Sequence, residues 1–378
     1  MARARKTDGL SVSWAEKGSY PVRFADDVFG EGSDVLAQTL REVSGTDTPR
    51  VLLVADANVV HRTQGLGTRI GRFVQANGVT LAGTPVVIGG GEKIKADGCQ
   101  TLQGLVASTL AAKVGANDVM LVLGGGTLLD VAGCAAAQVR GGMKLVRMPT
   151  TVASMVDGAF ADCAAIDADG VKDAVRTPCR PSAVVIDTAF ASTVLDGVWR
   201  GGIGEAVRYA AVCDATLMKS VAKDAEALKS RDPAAMAKLV RDCVSSRVKG
   251  GSTDFALWCA GRLEAMSGYK LPHGYAVPIS ICVDCAYAVE KGYMKEEQQE
   301  FVCRVLADCG ALDGLAHSRH LLGQTDSILR GLDSWALSAG SGAVTVPSGV
   351  GSCTRDENPD RDAYSKVLKE LLSASAEG

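Results

Sequence analysis

The stretch Val122-Leu-Gly-Gly-Gly-Thr-Leu-Leu-Asp130, followed by Arg147-Met-Pro-Thr-Thr151, decides the fold of this chain. Its apolar part predicts a buried strand that runs through three glycines into a helix. Glycine has no side chain and tolerates positive φ, so the backbone can lie against a bulky group. The free N–H groups and the positive dipole end of the helix favour a pyrophosphate. The stretch therefore predicts a dinucleotide cofactor, bound at a turn that differs from the common G-x-G-x-x-G pattern.

Strand and helix patterns alternate through the first half of the chain. Strands are predicted at 49–55, 84–88, 118–123, 144–148 and 183–187, with helices at 68–77, 99–114 and 128–138. This alternation predicts a mainly parallel sheet covered by helices on both faces. Ligands of such sheets bind beyond the carboxyl ends of the strands. We therefore expect an α/β, Rossmann-like, NAD-binding domain over residues 1–187.

Helical patterns dominate the second half. They occur at 198–220, 224–229, 233–248, 255–267, 277–291, 296–306 and 361–374. A strand is expected at 342–346, and the segment 347–359, rich in Gly, Ser and charge, is expected to be a loop. We predict a mainly helical domain over residues 188–378, with the cofactor in the cleft between the two domains.

The composition of the chain argues against several classes of function. The chain has 378 residues, a net charge of -3 and 47% hydrophobic residues, which is typical of a globular protein without an electrostatic surface for nucleic acid or an anionic membrane. No apolar run approaches the roughly 20 residues needed to span a bilayer. The twelve cysteines are scattered through helix-like and strand-like sequence, which favours reduced thiols and a cytoplasmic protein.

Several polar residues follow the predicted strands. Asp56 and Asn58 follow the first of them, where either a ribose contact or a simple turn cap explains them. The run Gly89-Gly-Gly-Glu-Lys-Ile-Lys95 repeats the arrangement of a strand followed by glycines and adds ionisable groups. Thr150 and Thr151 end another strand, and two adjacent hydroxyls can bind phosphate or ribose. A helix cap would explain only one of them.

Two further residues could bind a metal. Glu205 follows a glycine-rich helix start, where a carboxylate could equally stabilise the helix dipole, and His273 precedes a helix. Together they make a metal site conceivable, although zinc normally needs three protein ligands. Cys282 and Cys285 have C-x-x-C spacing but lie in an apolar helical pattern, so we expect them to pack in the core.

In these motifs the chain resembles the dehydroquinate synthase-like family, in the superfamily that also contains glycerol dehydrogenases. The resemblance rests on the motifs above together with Pro181-Ser-Ala-Val-Val-Ile-Asp187, Gly202-Ile-Gly-Glu-Ala-Val-Arg-Tyr209 and His273-Gly-Tyr-Ala-Val277, which occur in family order. Trp258 and Leu263-Glu264 are similar to the branch found in Ebo-type operons. The resemblance implies a cytoplasmic homodimer with a phosphorylated sugar as its substrate.

The resemblance also assigns the cofactor and the reaction. It implies NAD bound by Asp56, Asn58, Glu92, Lys95, Gly125, Gly126, Asp130, Thr150 and Thr151. The cyclases of the family oxidise a hydroxyl transiently, eliminate phosphate, take the hydride back and close a ring. A divalent metal polarises the substrate oxygens.

Several family positions are changed in this chain. The family metal ligands are an acidic residue and two histidines, and Glu205 and His273 match the first and the last. Leu257 occupies the middle histidine position, so a zinc or cobalt ion would have an incomplete ligand set. Lys172 matches a family lysine, and Arg208 replaces another and cannot relay a proton. Both are expected near the substrate phosphate.

Three hypotheses remain open at this stage. The first is an NAD-dependent sugar-phosphate cyclase with an altered metal site. The second is a polyol or polyol-phosphate dehydrogenase of the same superfamily, which would produce net NADH. The third is a non-catalytic protein that keeps the fold, and its main support is the missing histidine at Leu257.

Overall fold

A computed structural model describes residues 18–168, 171–251 and 253–374, except for the side chains of 316, 317, 319 and 374. The strands in these ranges are β1 (Val22–Ala25), β2 (Arg50–Asp56), β3 (Thr80–Leu81), β4 (Val86–Ile88), β5 (Val119–Gly124), β6 (Lys144–Pro149), β7 (Cys163–Ala168), β8 (Val171–Pro178), β9 (Ala183–Asp187), β10 (Val344–Gly349) and β11 (Ser352–Asp356). The helices are α1 (Val35–Ser44), α2 (Ala57–Arg62), α3 (Leu66–Ala76), α4 (Gln100–Ala111), α5 (Gly126–Gln138), α6 (Val152–Val156), α7 (Asp196–Cys213), α8 (Ala215–Lys223), α9 (Ala225–Lys229), α10 (Pro233–Gly250), α11 (Leu257–Met266), α12 (His273–Glu290), α13 (Glu296–Asp308), α14 (Leu315–Leu322), α15 (Thr325–Ala339) and α16 (Arg361–Ala374).

Seven strands form one sheet in the order β1-β9-β6-β5-β2-β3, with β4 also paired to β2. Every strand pair in this sheet is parallel. β5 lies between β2 and β6 and is buried along its whole length, because helices cover both faces of a parallel sheet. The α/β fold of the first half is as predicted.

The strand order reverses direction beside β5. From β2 the chain moves outward to β3 and β4, and it then returns to β5 on the other side of β2. The carboxyl ends of β2 and β5, at Asp56 and Gly124, therefore border the crevice in which sheets of this type bind ligands. The last strand of the sheet in sequence, β9, ends at Asp187, while the domain boundary after residue 187 stays a prediction.

The second half is mainly helical, as predicted, but α14 and α15 are additional helices that the sequence patterns do not predict, and α7 ends earlier than expected. The periodic pattern predicts a single helix over 198–220, but the chain leaves α7 at Asp214, which adopts an extended conformation. The Asp214 side chain accepts hydrogen bonds from the backbone N–H groups of Thr216 and Leu217 and so caps α8. A capping aspartate inside an apolar pattern is a local stop signal that periodicity alone does not reveal.

Helices α7 and α12 cross at close range because glycines face each other at the crossing. A Cβ built on Gly201 would lie 2.3 Å from the Cα of Gly274, and one on Gly204 would lie 2.8 Å from Cγ of Pro278. Neither position tolerates a side chain. The close approach brings Glu205 on α7 next to His273, the first residue of α12.

Two antiparallel hairpins were not predicted. β7 pairs with β8, and β10 pairs with β11. The expected loop at 347–359 is therefore wrong, because 352–356 forms β11. Gly349 and Gly351 have φ of 147° and 80° and allow the turn, and a Cβ on Gly351 would lie 2.3 Å from the backbone N of Ala215.

All twelve cysteines are free thiols. Cys285 is buried in α12, as expected for core packing, and Cys282 Sγ lies 3.2 Å from Cys303 Sγ. Among the described residues, no helix combines the length and the apolar character needed to cross a membrane.

Candidate functional site

The glycine turn after β5 leaves the start of α5 open. Gly125 occupies the N-cap position and provides no side-chain cap, so the first N–H groups of α5 have no side-chain acceptor. A Cβ built on Gly126 meets no atom within 4 Å, whereas one on Gly125 would lie 3.1 Å from Thr151 Cγ2. The predicted residues Gly125 and Gly126 thus border free space at the positive end of a 13-residue helix.

Asp56 and Asn58 meet at the end of β2. Asp56 Oδ1 accepts hydrogen bonds from the Asn58 backbone N–H at 2.8 Å and from its side-chain amide at 3.1 Å. This contact is a turn cap, which is one of the two explanations that the sequence allows for Asp56 and Asn58. A Cβ on Gly90 would lie 2.2 Å from Asp56 Oδ2, so the backbone at Gly90 passes directly over this carboxylate.

The two threonines after β6 have different surroundings. Thr151 caps α6 through a reciprocal pair of hydrogen bonds with Ser154. Thr150 is fully buried, and its Oγ1 has no hydrogen-bond partner among the described residues. A buried hydroxyl without a partner is unfavourable. A cap therefore explains Thr151 but not Thr150, and NAD binding by either threonine stays a prediction.

Lys95 is enclosed by carboxylates and is only 3% exposed. Its Nζ lies 2.9 Å from Asp130 and bonds Asp173, with Asp167 and Glu92 at 3.9 Å. Burial alone lowers the pKa of Lys95, but these carboxylates outweigh burial and raise it. The structure therefore brings Lys95, Asp130 and Glu92 together and pairs the ammonium with protein carboxylates, while their contact with NAD stays a prediction.

His273 lies between two carboxylates. Its Nε2 is 2.9 Å from Glu205 Oε1, and its Nδ1 is 2.7 Å from Glu264 Oε1. Burial lowers the pKa of His273, but Glu264 and Glu205 raise it to about 10, so the ring is an imidazolium at neutral pH. Glu264 is not among the predicted site residues, although it follows Leu257 by seven residues and so shares its face of α11.

The remaining oxygens of both glutamates are paired as well. Glu205 Oε2 accepts a hydrogen bond from Arg208 Nε at 2.8 Å, and Glu264 Oε2 lies 2.5 Å from Lys172 Nζ. Burial raises the pKa of Glu205, but Arg208 and His273 outweigh it and lower the pKa. Arg208 is 1% exposed, and thus it holds Glu205 in place and does not line the cavity described below.

Lys172 and Arg208, at the two ends of this series of ion pairs, each contact a further carboxylate. Lys172 also lies 3.4 Å from Glu92. Arg208 lies 3.3 Å from Asp157, which pairs with Arg247 at 2.6 Å. Ten side chains of alternating charge thus follow one another, and we call them the ion-pair chain: Arg247, Asp157, Arg208, Glu205, His273, Glu264, Lys172, Glu92, Lys95 and Asp130. With His273 charged, it contains five cations and five anions.

The donor set does not fit a divalent metal. Glu205 and His273, the predicted ligands, contact each other directly, and Leu257 has no donor atom. Cys259 is buried, and burial raises the pKa of its thiol to about 12. Within the described ranges, no group of three or more His, Cys, Asp or Glu side chains is arranged to hold a metal ion.

A cavity of about 440 Å³ opens beside the ion-pair chain, between the β7–β8 hairpin, α11 and α15. Its lining contains five basic side chains, Lys172, Arg176, Arg247, Arg262 and His273, and five carboxylates, Asp157, Asp162, Asp173, Asp254 and Glu264. In the described part of the chain, Arg176 and Arg262 form no ion pair with a carboxylate, and Nε and Nη1 of the buried Arg247 have no hydrogen-bond partner. None of the three arginines was predicted as a site residue.

The cavity adjoins the glycine turn. Asp157, in its wall, precedes Gly158, where a Cβ would lie 3.6 Å from the Cα of Gly126.

Trp258, also in the wall of the cavity, donates its indole N–H to Asp284 Oδ1 at 3.0 Å. Tyr364 bonds the same oxygen, and burial raises the pKa of Asp284 to about 7.

Sequence comparison matches two consecutive family profiles. The profile described as 3-dehydroquinate synthase N-terminal matches residues 85–200, and the one described as 3-dehydroquinate synthase C-terminal matches residues 202–317. A 3-dehydroquinate synthase of Shewanella halifaxensis is 25% identical over 94% of this chain and 95% of its own length. One of Rhodopseudomonas palustris strain TIE-1 is 26% identical over 77% and 82%.

Solved structures with the same fold include two synthases. ValA, the 2-epi-5-epi-valiolone synthase of Streptomyces hygroscopicus subsp. jinggangensis 5008 with NAD⁺ and Zn²⁺ bound, has a TM-score of 0.81 and 22% identity, covering 97% of this chain and 100% of that one. A 2-deoxy-scyllo-inosose synthase complexed with carbaglucose-6-phosphate, NAD⁺ and Co²⁺ has a TM-score of 0.75 and 17% identity, covering 92% and 96%.

Proposed function

Since the chain belongs to the 3-dehydroquinate synthase-like family of sugar-phosphate cyclases, we propose that it is an NAD-dependent cyclase acting on a phosphorylated sugar. The observation that carries this proposal is the cavity with three arginines beside the open glycine turn. The glycine turn offers a site for the dinucleotide, and the cavity offers a site for a polyhydroxylated anion. The proposed reaction does not use a metal ion, because the side chains at the centre do not form a set of metal ligands.

The residues proposed to hold NAD follow β2, β4, β5 and β6. The α5 N-terminus at Gly125 and Gly126 would bind the pyrophosphate, and Thr150 would hydrogen-bond the cofactor. Asp56 and Asn58 would contact a ribose. Glu92, Lys95, Asp130 and Thr151 would shape the site through their contacts with one another and with Ser154. When bound, NAD would accept a hydride from the substrate and later return it.

The arginines are proposed to bind the phosphate. Among the described residues Arg262 and Arg176 form no ion pair, and Arg247 has two N–H donors without a hydrogen-bond partner. Guanidinium groups bind phosphate through paired, charge-assisted hydrogen bonds. They would also stabilise the charge that remains on the phosphate as it leaves. Lys172 lines the same cavity and is the residue best placed to contact substrate oxygens, whereas Arg208 would act only through Glu205.

A non-catalytic role is the second candidate, and one specific observation favours it. Both ring nitrogens of His273 and all four oxygens of Glu205 and Glu264 are engaged with one another or with Arg208 and Lys172. A centre in which every group is paired has no free donor or acceptor for a substrate hydroxyl. Such a protein would bind ligands without converting them.

The test uses the full chain with NAD and a panel of phosphorylated six- and seven-carbon sugars. Inorganic phosphate and NADH are measured in the same samples. A cyclase releases phosphate and accumulates no NADH, because the hydride is returned. Net NADH would identify the polyol dehydrogenase alternative, and NAD binding without either product would favour the non-catalytic role. The variants Gly126→Asp and Arg262→Met test the dinucleotide site and the phosphate site, and each should abolish or weaken phosphate release.

A further inference from the structure

We propose that the centre formed by Glu205, His273 and Glu264 binds no divalent cation, and that Arg208 and Lys172 supply the positive charge beside its carboxylates. This inference does not depend on the proposed function, because it concerns the ground state of the protein. It holds whether or not the chain converts a substrate. It rests on three structural observations.

The first observation is the occupancy of the carboxylate oxygens. Glu205 uses Oε1 for His273 and Oε2 for Arg208. Glu264 uses Oε1 for His273 and Oε2 for Lys172. A metal between Glu205 Oε1 and His273 Nε2 would break the contact between these two groups and would share the Glu205 carboxylate with Arg208. Glu205 and Arg208 are 2% and 1% exposed, so the metal would compete with a buried guanidinium for this carboxylate.

The second observation is the position of the imidazole. A metal needs a ring nitrogen with a free lone pair that points at it. Both nitrogens of His273 instead point at carboxylate oxygens on opposite sides of the ring, so Glu205 and Glu264 cannot both join His273 around one ion. In a metal centre, a carboxylate would contact only the nitrogen that does not bind the metal.

The third observation is the absence of a further ligand. Leu257 lines the cavity next to His273 and offers only methyl groups. Cys259, two residues later, is fully buried in the core. Structural zinc sites have four protein ligands and catalytic sites normally three. In the described part of the chain no third His, Cys, Asp or Glu completes the set.

The cationic side chains of Arg208 and Lys172 also disfavour a bound metal ion. Arg208 lies 2.8 Å from Glu205, and Lys172 lies 2.5 Å from Glu264. A divalent cation bound at Glu205 would lie beside the buried guanidinium of Arg208, which carries charge of the same sign. The positive charge that a metal would bring is thus already present in protein side chains.

The experiment measures metal directly. The full chain is produced in zinc- and cobalt-supplemented medium, and metal per chain is determined by elemental analysis. Thermal unfolding is followed with added Zn²⁺, Co²⁺ or EDTA. We expect substoichiometric metal and the same Tm in all conditions, since a ligand that binds only the folded state would raise Tm. One metal per chain that EDTA removes with a fall in Tm, and that His273→Ala does not retain, would overturn the proposal.

The variant His273→Ala separates this centre from adventitious binding to the cysteines. If the wild type retains metal and His273→Ala loses it, the ion sits at this centre and the proposal is wrong. If both proteins retain the same amount, the ion lies elsewhere and the proposal stands. Neither readout uses turnover, so failure of the proposed cyclase activity remains distinguishable from failure of this inference.

Discussion

His273 and Glu205 are in direct contact, with Nε2 and Oε1 2.9 Å apart. His273 belongs to α12 and Glu205 to α7. The two residues meet because the helices cross closely where Gly201 faces Gly274. Family resemblance predicts that this pair shares a metal ion, whereas the structure joins the two residues to each other. Because Arg208 completes the pairing of Glu205, the stability of this region should depend on balanced charges.

Replacing Glu205 with Ala should destabilise the protein by about 3–5 kcal/mol, because Arg208 and His273 lose a buried partner. The free energy of unfolding is measured by urea denaturation. The double variant Glu205→Met with Arg208→Met should lose less than the sum of the two single variants, because it removes both charges. Additive losses would mean that the two residues are not energetically coupled.

A surface pair provides the control for that experiment. Asp333 and Arg361 are exposed and 2.7 Å apart. Asp333→Ala should leave the urea midpoint almost unchanged, because solvent screens such pairs.

Replacing Gly126 with Asp should abolish NAD binding and keep the fold. The new side chain would enter free space at the N-terminus of α5, where an acidic residue favours the helix but repels a pyrophosphate. We expect NAD affinity, measured by calorimetry, to fall by roughly a hundredfold, or about 2.7 kcal/mol. Gly104→Asp places the same residue on an exposed face of α4 and should not alter affinity. Equal affinities of both variants would place NAD elsewhere.

Replacing Arg262 with Met should weaken binding of a sugar phosphate by about tenfold to a hundredfold, since a hydrogen bond to a charged group contributes about 1.5–3 kcal/mol. Met keeps most of the side-chain volume and removes the charge. The affinity is measured by calorimetry in the presence of NAD. Arg72→Met, on the exposed face of α3, is the matched control and should bind as the wild type does. An unchanged affinity for Arg262→Met would remove this arginine from the substrate site.

Asp284 should make stability depend on pH. Burial raises its pKa from 3.8 to about 7, so the folded protein binds this proton more tightly than the unfolded chain. The contribution of Asp284 to stability therefore falls as the pH rises from about 4 to about 7, by at most about 4 kcal/mol. In Asp284→Asn this fall is absent, so the variant should gain stability relative to the wild type between pH 5 and pH 8. Parallel pH profiles in urea denaturation would contradict the assignment.

The sheet could be predicted from sequence because its signals are local. An apolar run followed by glycines locates β5 and the start of α5 within a few residues. The β7–β8 hairpin was missed, since β8 is a mostly exposed strand without a clear apolar pattern.

The centre was only partly predictable, for a different reason. Its contacts join residues far apart in the chain, such as Lys172 and Glu264, which are 92 positions apart. Motif matching identified Glu205, His273, Lys95 and Asp130, but not that their charges are satisfied by one another. The partners of an ionisable group depend on tertiary packing, which spacing does not encode.

The glycine contact between α7 and α12 has a consequence for interpreting motifs in such proteins. Backbone touching backbone fixes the separation of the two helices, and with it the distance between the side chains at positions 205 and 273. An acid and a histidine placed there face each other whether or not an ion lies between them. Their joint presence in a sequence therefore reports the geometry of a helix crossing. Evidence for an ion has to come from the third position, where this chain has Leu257.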